Sequence, residues 1–231
     1  MHQDNNPLLR SLSGIVNDLW GSSEQLKKEY EQAKQAVRDD FAAEAVNAPQ
    51  TETVPVQAAP SVPDWRTMWQ CSDEPVDWTE VYAGTAWPDF AADDASRAFL
   101  RRQADAVLNG DINAYLAVLD RFDPLQDVAK LVSDTQITVV DADHLCASCE
   151  CEKAIAGLSA DDARLLLASV AIRMARDVLA LLPATDAEVF ARVKGEPQLV
   201  VTITREEIRK ARFALTDPIT LIEGCGGSFA L

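Results

Sequence analysis

The sequence predicts an α+β protein: a helical N-terminal region followed by a ββαββα domain, whose largely antiparallel sheet packs on one long core helix. Three observations carry this. Residues 159–183, SADDARLLLASVAIRMARDVLALLP, form a long apolar run with helical spacing. Two pairs of short alternating segments flank it, 136–141 with 145–152 and 188–193 with 199–204. Residues 64–132, by contrast, place their apolar side chains at three- and four-residue steps. Helices gathered in one part of a chain and strands in another belong to the α+β class.

The first elements lie in an arm over 1–47. Leu8, Leu12, Ile15, Val16 and Leu19 make an apolar stripe. Gly21-Ser22-Ser23 then reads as a C-cap followed by a new N-cap, with Gln25 in the capping position. Leu26, Tyr30, Ala33, Val37 and Phe41 continue at helical steps over about two heptads, too few for an independent coiled coil. Residues 48–63, APQTETVPVQAAPSVP, hold four prolines and no glycine, the composition of a semi-rigid linker. The body is then 64–231, divided into a helical subregion, 64–132, and a sheet subregion, 133–231. It is expected to fold without the arm, because the linker shares no apolar pattern with either side.

Within the body, short helices open at Asp64-Trp65 and at Pro75-Val76-Asp77-Trp78. Two longer ones cover 89–108 and 111–122, joined at Asn109-Gly110-Asp111, where Gly110 suits a left-handed cap and Asp111 a new N-cap. Trp65, Trp69, Trp78 and Trp87 lie in this region and are read as core filling rather than as an aromatic ligand site. The long helix starts at Ser159, with Asp161 and Asp162 in its first turn, and stops before Pro183. Its few polar residues after Arg164 are Ser169, Arg173, Arg176 and Asp177, which fall on one narrow stripe at about 100° per residue. The second strand pair turns at Lys194-Gly195-Glu196-Pro197, and 205–212 closes as a short helix. Gly224-Cys225-Gly226-Gly227 lacks the lysine and the strand-to-helix setting of a phosphate loop and reads as a flexible tail.

Composition bounds the function. The chain has 231 residues, 48% of them hydrophobic, and a net charge of −16. Residues 64–158 carry 18 acidic and 7 basic side chains, so this part would repel nucleic acid. Such acidity is read as a solvated face, with attraction of a basic protein partner as the sharper alternative. No run approaches a membrane span, and Asp4, Pro7 and Arg10 interrupt any export signal, so a cytoplasmic location is expected. Five cysteines, an odd number, suit reduced thiols there.

Several pieces together resemble an uncharacterised domain family of bacterial hypothetical proteins, found alone or behind other modules such as J-domains. They are Glu74-Pro75-Val76-Asp77-Trp78; Asn109-Gly110-Asp111-Ile112 with Ala114-Tyr115-Leu116; Pro124-Leu125 with Asp127; Arg173 with Ala175-Arg176-Asp177 and Leu179 to Pro183; and Thr204-Arg205 with Phe213 and Asp217-Pro218. They span 74–218. The chain departs from the pattern in a shorter helical region before Asn109, a cysteine-rich second strand and a different end after Pro218. The resemblance implies a fold and supplies no catalytic residue.

Chemistry could sit in two places. Cys146, Cys149 and Cys151, preceded by Asp141, Asp143 and His144, form the most metal-like run. On a strand over 145–152, Cys149 and Cys151 would face one side and Cys146 the other, which splits the four convergent ligands that zinc needs. No metal and no cofactor are therefore expected. A disulfide between Cys149 and Cys151 is disfavoured, since same-face neighbours on a strand are roughly 6.6 Å apart. His144 is the only base a thiol nucleophile in this run could use. The second place is the helix stripe: Arg173, Arg176 and Asp177 could grip a carboxylate or phosphate, or could pair with acidic residues of the helical region.

These observations support a non-enzymatic interaction or adaptor protein whose partner is another protein, engaged through the helical arm, with neither nucleic acid nor membrane involved. The alternative is an enzyme or sensor that holds a small anionic ligand on Arg173 and Arg176. A third reading, an acidic immunity or antitoxin-like protein, rests on charge.

Overall fold

A computed structural model describes residues 64–230. The expectations for the arm and linker lie outside the described residues. The body is α+β with a five-stranded, mostly antiparallel sheet.

The helical part opens with a single 3-10 turn, Met68–Gln70, rather than the α-helix expected after Asp64. Helix α1, Trp78–Ala83, starts where the Asp77 carboxylate accepts from the amides of Thr79 and Glu80. Helix α2, Asp94–Leu108, begins later than position 89 because Asp93, bonded to Ser96, is its cap. Helix α3, Ile112–Phe122, follows Gly110 and is capped by Asp111. A second 3-10 turn, Val128–Lys130, leads to the sheet.

Strands β1, Ser133–Val139, and β2, His144–Glu150, pair antiparallel. Helices α4, Glu152–Ile155, and α5, Ala160–Leu181, then carry the chain across to β3, Asp186–Val193, which lies parallel to β2. The chain returns as β4, Glu196–Thr204, antiparallel to β3. The turn between them is tighter than the four residues expected: only Lys194 and Gly195 are left over, both with positive φ, and Glu196 and Pro197 already belong to the strand. Helix α6, Arg205–Lys210, is capped by a reciprocal Thr204–Glu207 box.

The C-terminal segment corrects the expectation of a flexible tail. Asp217 caps helix α7, Pro218–Gly224, with Pro218 in its first turn, and this helix packs on α5. Gly226 and Gly227 then turn the chain so that β5, Ser228–Phe229, adds to the outer edge of β4. A side chain at Gly227 would meet Ile222 Cγ2 at 2.6 Å, so this glycine is required by close packing.

Helix α5 organises the whole. One side lies on β2, β3 and β4, where Leu145, Ala147, Cys149, Ala187, Val189, Ala191, Leu199, Val201 and Ile203 point toward it. Its other sides meet the two 3-10 turns and α7. The polar stripe is therefore covered too: Ser169, Arg173 and Asp177 are all buried. A helix end buried this deeply needs partners for its last carbonyls. Arg205 donates to the carbonyls of Leu179 and Leu182, the Val76 amide to Ala180 and the Trp78 indole to Leu181. Among the described residues, no helix is long and apolar enough to cross a membrane.

Candidate functional site

The polar stripe of α5 is where the structure concentrates charge. Arg173 and Asp177 are one turn apart, and Arg173 Nε donates to Asp177 Oδ2 at 2.5 Å. The guanidinium also has Asp73 and Asp127 at 3.8 Å, contributed by the segment before α1 and by the start of the second 3-10 turn. Three carboxylates thus surround one cation whose side chain is 9% exposed. Asp177 is fully buried, and among the described residues neither its Oδ1 nor the Ser169 hydroxyl has a hydrogen-bond partner. Burial pushes the Asp177 carboxyl up to about 7, against the pull of Arg173.

Arg176 leaves the helix on an adjacent line and does something different. Its Nη1 donates to the Trp69 carbonyl at 2.6 Å and its Nη2 to the Ser72 hydroxyl at 2.6 Å, with the Cys71 carbonyl at 3.3 Å. The guanidinium also lies 3.7 Å from the ring centre of Phe213. Arg176 therefore ties the chain around Trp69 to the segment after α6. Arg173, Arg176 and Asp177 do lie together as the sequence suggests, and each is engaged by acceptors or donors of its own chain.

The cysteine run divides as expected, with one correction. Cys149 is buried on the α5 side of β2 and Cys146 sits on the opposite face. The strand, however, ends at Glu150. Cys151 has φ −105° and ψ 1°, and this turn swings its sulfur to 3.6 Å from that of Cys149, far closer than two neighbours on a straight strand would allow. The contact with Cys149, reinforced by burial, pushes the Cys151 thiol up. His144 is turned outward instead, hydrogen-bonded through Nδ1 to Asp186 at 2.8 Å, and that carboxylate raises its pKa. Among the described residues, no group of three or more potential ligands gathers as a metal site.

Two surface hollows accompany these features. One, about 180 Å³, lies among Glu74, Val76, Asp77, Trp87 and Pro88; the other, about 300 Å³, is bounded by Glu207, Lys210, Thr216, Thr220 and Cys225. Burial raises the Cys225 thiol to about 11, so it is no nucleophile at neutral pH.

The sequence reading missed a surface made by the α2–α3 turn and the β1–β2 hairpin. Gly110 has φ +73°, and a Cβ there would come within 2.7 Å of the Ala142 side chain. Tyr115 Oη donates to the Ala142 carbonyl at 3.2 Å. Leu108, Ile112 and Val140, each two residues from this contact, are exposed. One half of the signal was present in the sequence, since neither 103–120 nor 131–152 contains a lysine or an arginine.

Compared with family models, curated proteins and solved structures, the chain matches none.

Proposed function

We propose that this protein acts by binding another protein in the cytoplasm rather than by turning over a small molecule. The observation that carries the reading is the internal commitment of Arg173 and Arg176. An anion-binding site needs guanidinium donors free to reach a ligand. Here Arg173 faces Asp73, Asp127 and Asp177, and Arg176 donates to Trp69, Cys71 and Ser72. A cytoplasmic setting is supported by the thiols of the body, all of them free, including two sulfurs already in contact.

We also propose that the chain belongs to the bacterial domain family whose pattern it resembles. What supports this is the work its pattern residues do at the joints of the fold. Asp77, Asp111, Thr204 and Asp217 cap helices, Trp78 and Arg205 close the end of α5, and Phe213 covers Arg176. These residues fasten helices and turns of an α+β body, and a family defined by such residues shares a scaffold.

The test is a thermal-shift screen of the full chain against phosphate, nucleotides and small carboxylates, beside purification of tagged full-length protein and of residues 64–231 from the native host. A co-purifying protein, with no ligand-induced shift, is the expected result. A reproducible rise in melting temperature with one anion class, lost in Arg176→Ala, would overturn the interaction reading.

A further inference from the structure

We infer that the end of the body formed by the α2–α3 turn and the β1–β2 hairpin is a docking surface for a basic amphipathic helix, a reading that rests on the interaction function above.

The surface begins with a fixed joint. Gly110 is pressed on Ala142, and Tyr115, itself buried, bonds the Ala142 carbonyl, so turn and hairpin form one continuous face. Around this joint Leu108 is 45%, Ile112 41% and Val140 60% exposed. An isolated exposed leucine needs no explanation, but here three exposed branched apolar residues each stand two positions from one contact.

Charge decides what covers it. Asp105 and Asp111 flank the turn, Asp141 and Asp143 flank the hairpin, and all four are exposed. The residues contributing this face, 103–120 and 131–152, hold eight carboxylates and neither lysine nor arginine. The guanidinium of Arg205 is spent on the carbonyls of Leu179, Leu182 and Ala184. The nearby imidazole of His144 is bonded to Asp186. A second copy of the chain would bring like charge against this rim, since the net charge is −16. A segment with leucines or their like on one face and lysines or arginines beside them matches both the centre and the rim.

Two peptides of about 18 residues, five helical turns, test this. One is an amphipathic helix of leucine and lysine, the other its leucine and glutamate counterpart. Binding to the full chain is read by fluorescence anisotropy at about 0.15 M ionic strength, where long-range attraction is screened. The lysine peptide is expected to bind and the glutamate peptide not. The Leu108→Ser, Val140→Ser double variant, whose charge is unchanged, is expected to weaken binding at least about 10-fold, as truncation of central contacts does. Asp105→Asn with Asp143→Asn is expected to weaken it and to flatten its salt dependence. Because all these side chains are exposed, the melting temperature of each variant stays at the parent value. The proposal is overturned if neither peptide binds, if the serine variant binds as tightly as the parent, or if sedimentation shows a dimer that the serine variant dissolves. None of these outcomes restores a small-molecule function, which the thermal-shift screen decides separately.

Discussion

Arg173 Nε and Asp177 Oδ2 meet at 2.5 Å inside the body, and among the described residues the second oxygen of Asp177 has no hydrogen-bond partner. Charged pairs at this depth are weak stabilisers when intact and costly when broken, because removing one partner strands the other in a medium that cannot solvate it. Exposed ion pairs are worth about 0–1 kcal/mol, so the links to half-exposed Asp73 and Asp127 matter less than the link to Asp177.

Arg173→Ala is therefore expected to cost about 3–5 kcal/mol in urea denaturation, the range for halved buried pairs. Replacing both partners, Arg173→Met with Asp177→Leu, is expected to return stability to near the parent value. An Arg173→Ala protein with an unchanged or higher midpoint would show that the guanidinium is strained in place and held for a ligand.

The titration of Asp177 gives a pH prediction. Its carboxyl titrates near 7 in the folded chain and near 3.9 when unfolded. Between those values the folded state keeps a proton that the unfolded state has lost, so stability falls as pH rises through the window. Asp177→Asn has no proton to lose. Its stability relative to the parent is expected to improve steadily from about pH 4.5 to 7.5, and parallel curves would refute the assignment.

Arg176→Ala should release the segment around Trp69. Two bonds of 2.6 Å and the stacking on Phe213 are lost together, for an expected cost of about 1–3 kcal/mol. Amide exchange near 69–72 is expected to accelerate while that of β3 stays slow.

Gly110 and Gly195 both have positive φ, yet alanine should affect them differently. At Gly195 nothing lies within 4 Å of a new Cβ, so only backbone strain of about 1 kcal/mol is expected. At Gly110 the methyl would also strike Ala142, and the loss is expected to be at least twice as large. Equal losses in thermal denaturation would mean that the hairpin moves aside.

Thiol accessibility should follow burial. Cys71 is exposed and is expected to react first with a soluble thiol reagent, while Cys149 and Cys151 stay silent until the protein unfolds. Elemental analysis is expected to find no stoichiometric metal. One zinc per chain, lost in Cys149→Ala with Cys151→Ala, would contradict this.

Much of this fold could be read from residue order, because its devices are local. Ser159, Asp77, Asp111 and the Lys194-Gly195 pair announce caps and turns through their own backbone chemistry. The short end of the chain escaped because α7 and β5 are stable only against α5 and β4, and nothing in 218–229 encodes those neighbours. The helix stripe was legible in part, since pairing with acidic residues of the helical region was one of its two readings, but which residues would pair was not. Periodicity put Ser169, Arg173, Arg176 and Asp177 on one face, but their partners, Asp73, Asp127, Trp69 and Ser72, lie 46 to 107 positions away in sequence. The Gly110–Ala142 contact that builds the proposed docking surface is equally long-range.

The parallel seam between β2 and β3 sets the order in which this chain can assemble. The hairpins β1–β2 and β3–β4 each close over a few residues, whereas β2 can find β3 only after the whole crossover, α4 and α5, has been laid between them. Loop closure of that length is slow relative to a hairpin. Each half therefore waits with one strand edge bare, β2 on one side and β3 on the other, until the apolar flank of α5 gathers both. The seam therefore closes only after both hairpins, and the interval before it closes is when their bare strand edges are most open to pairing with a strand that is not their own.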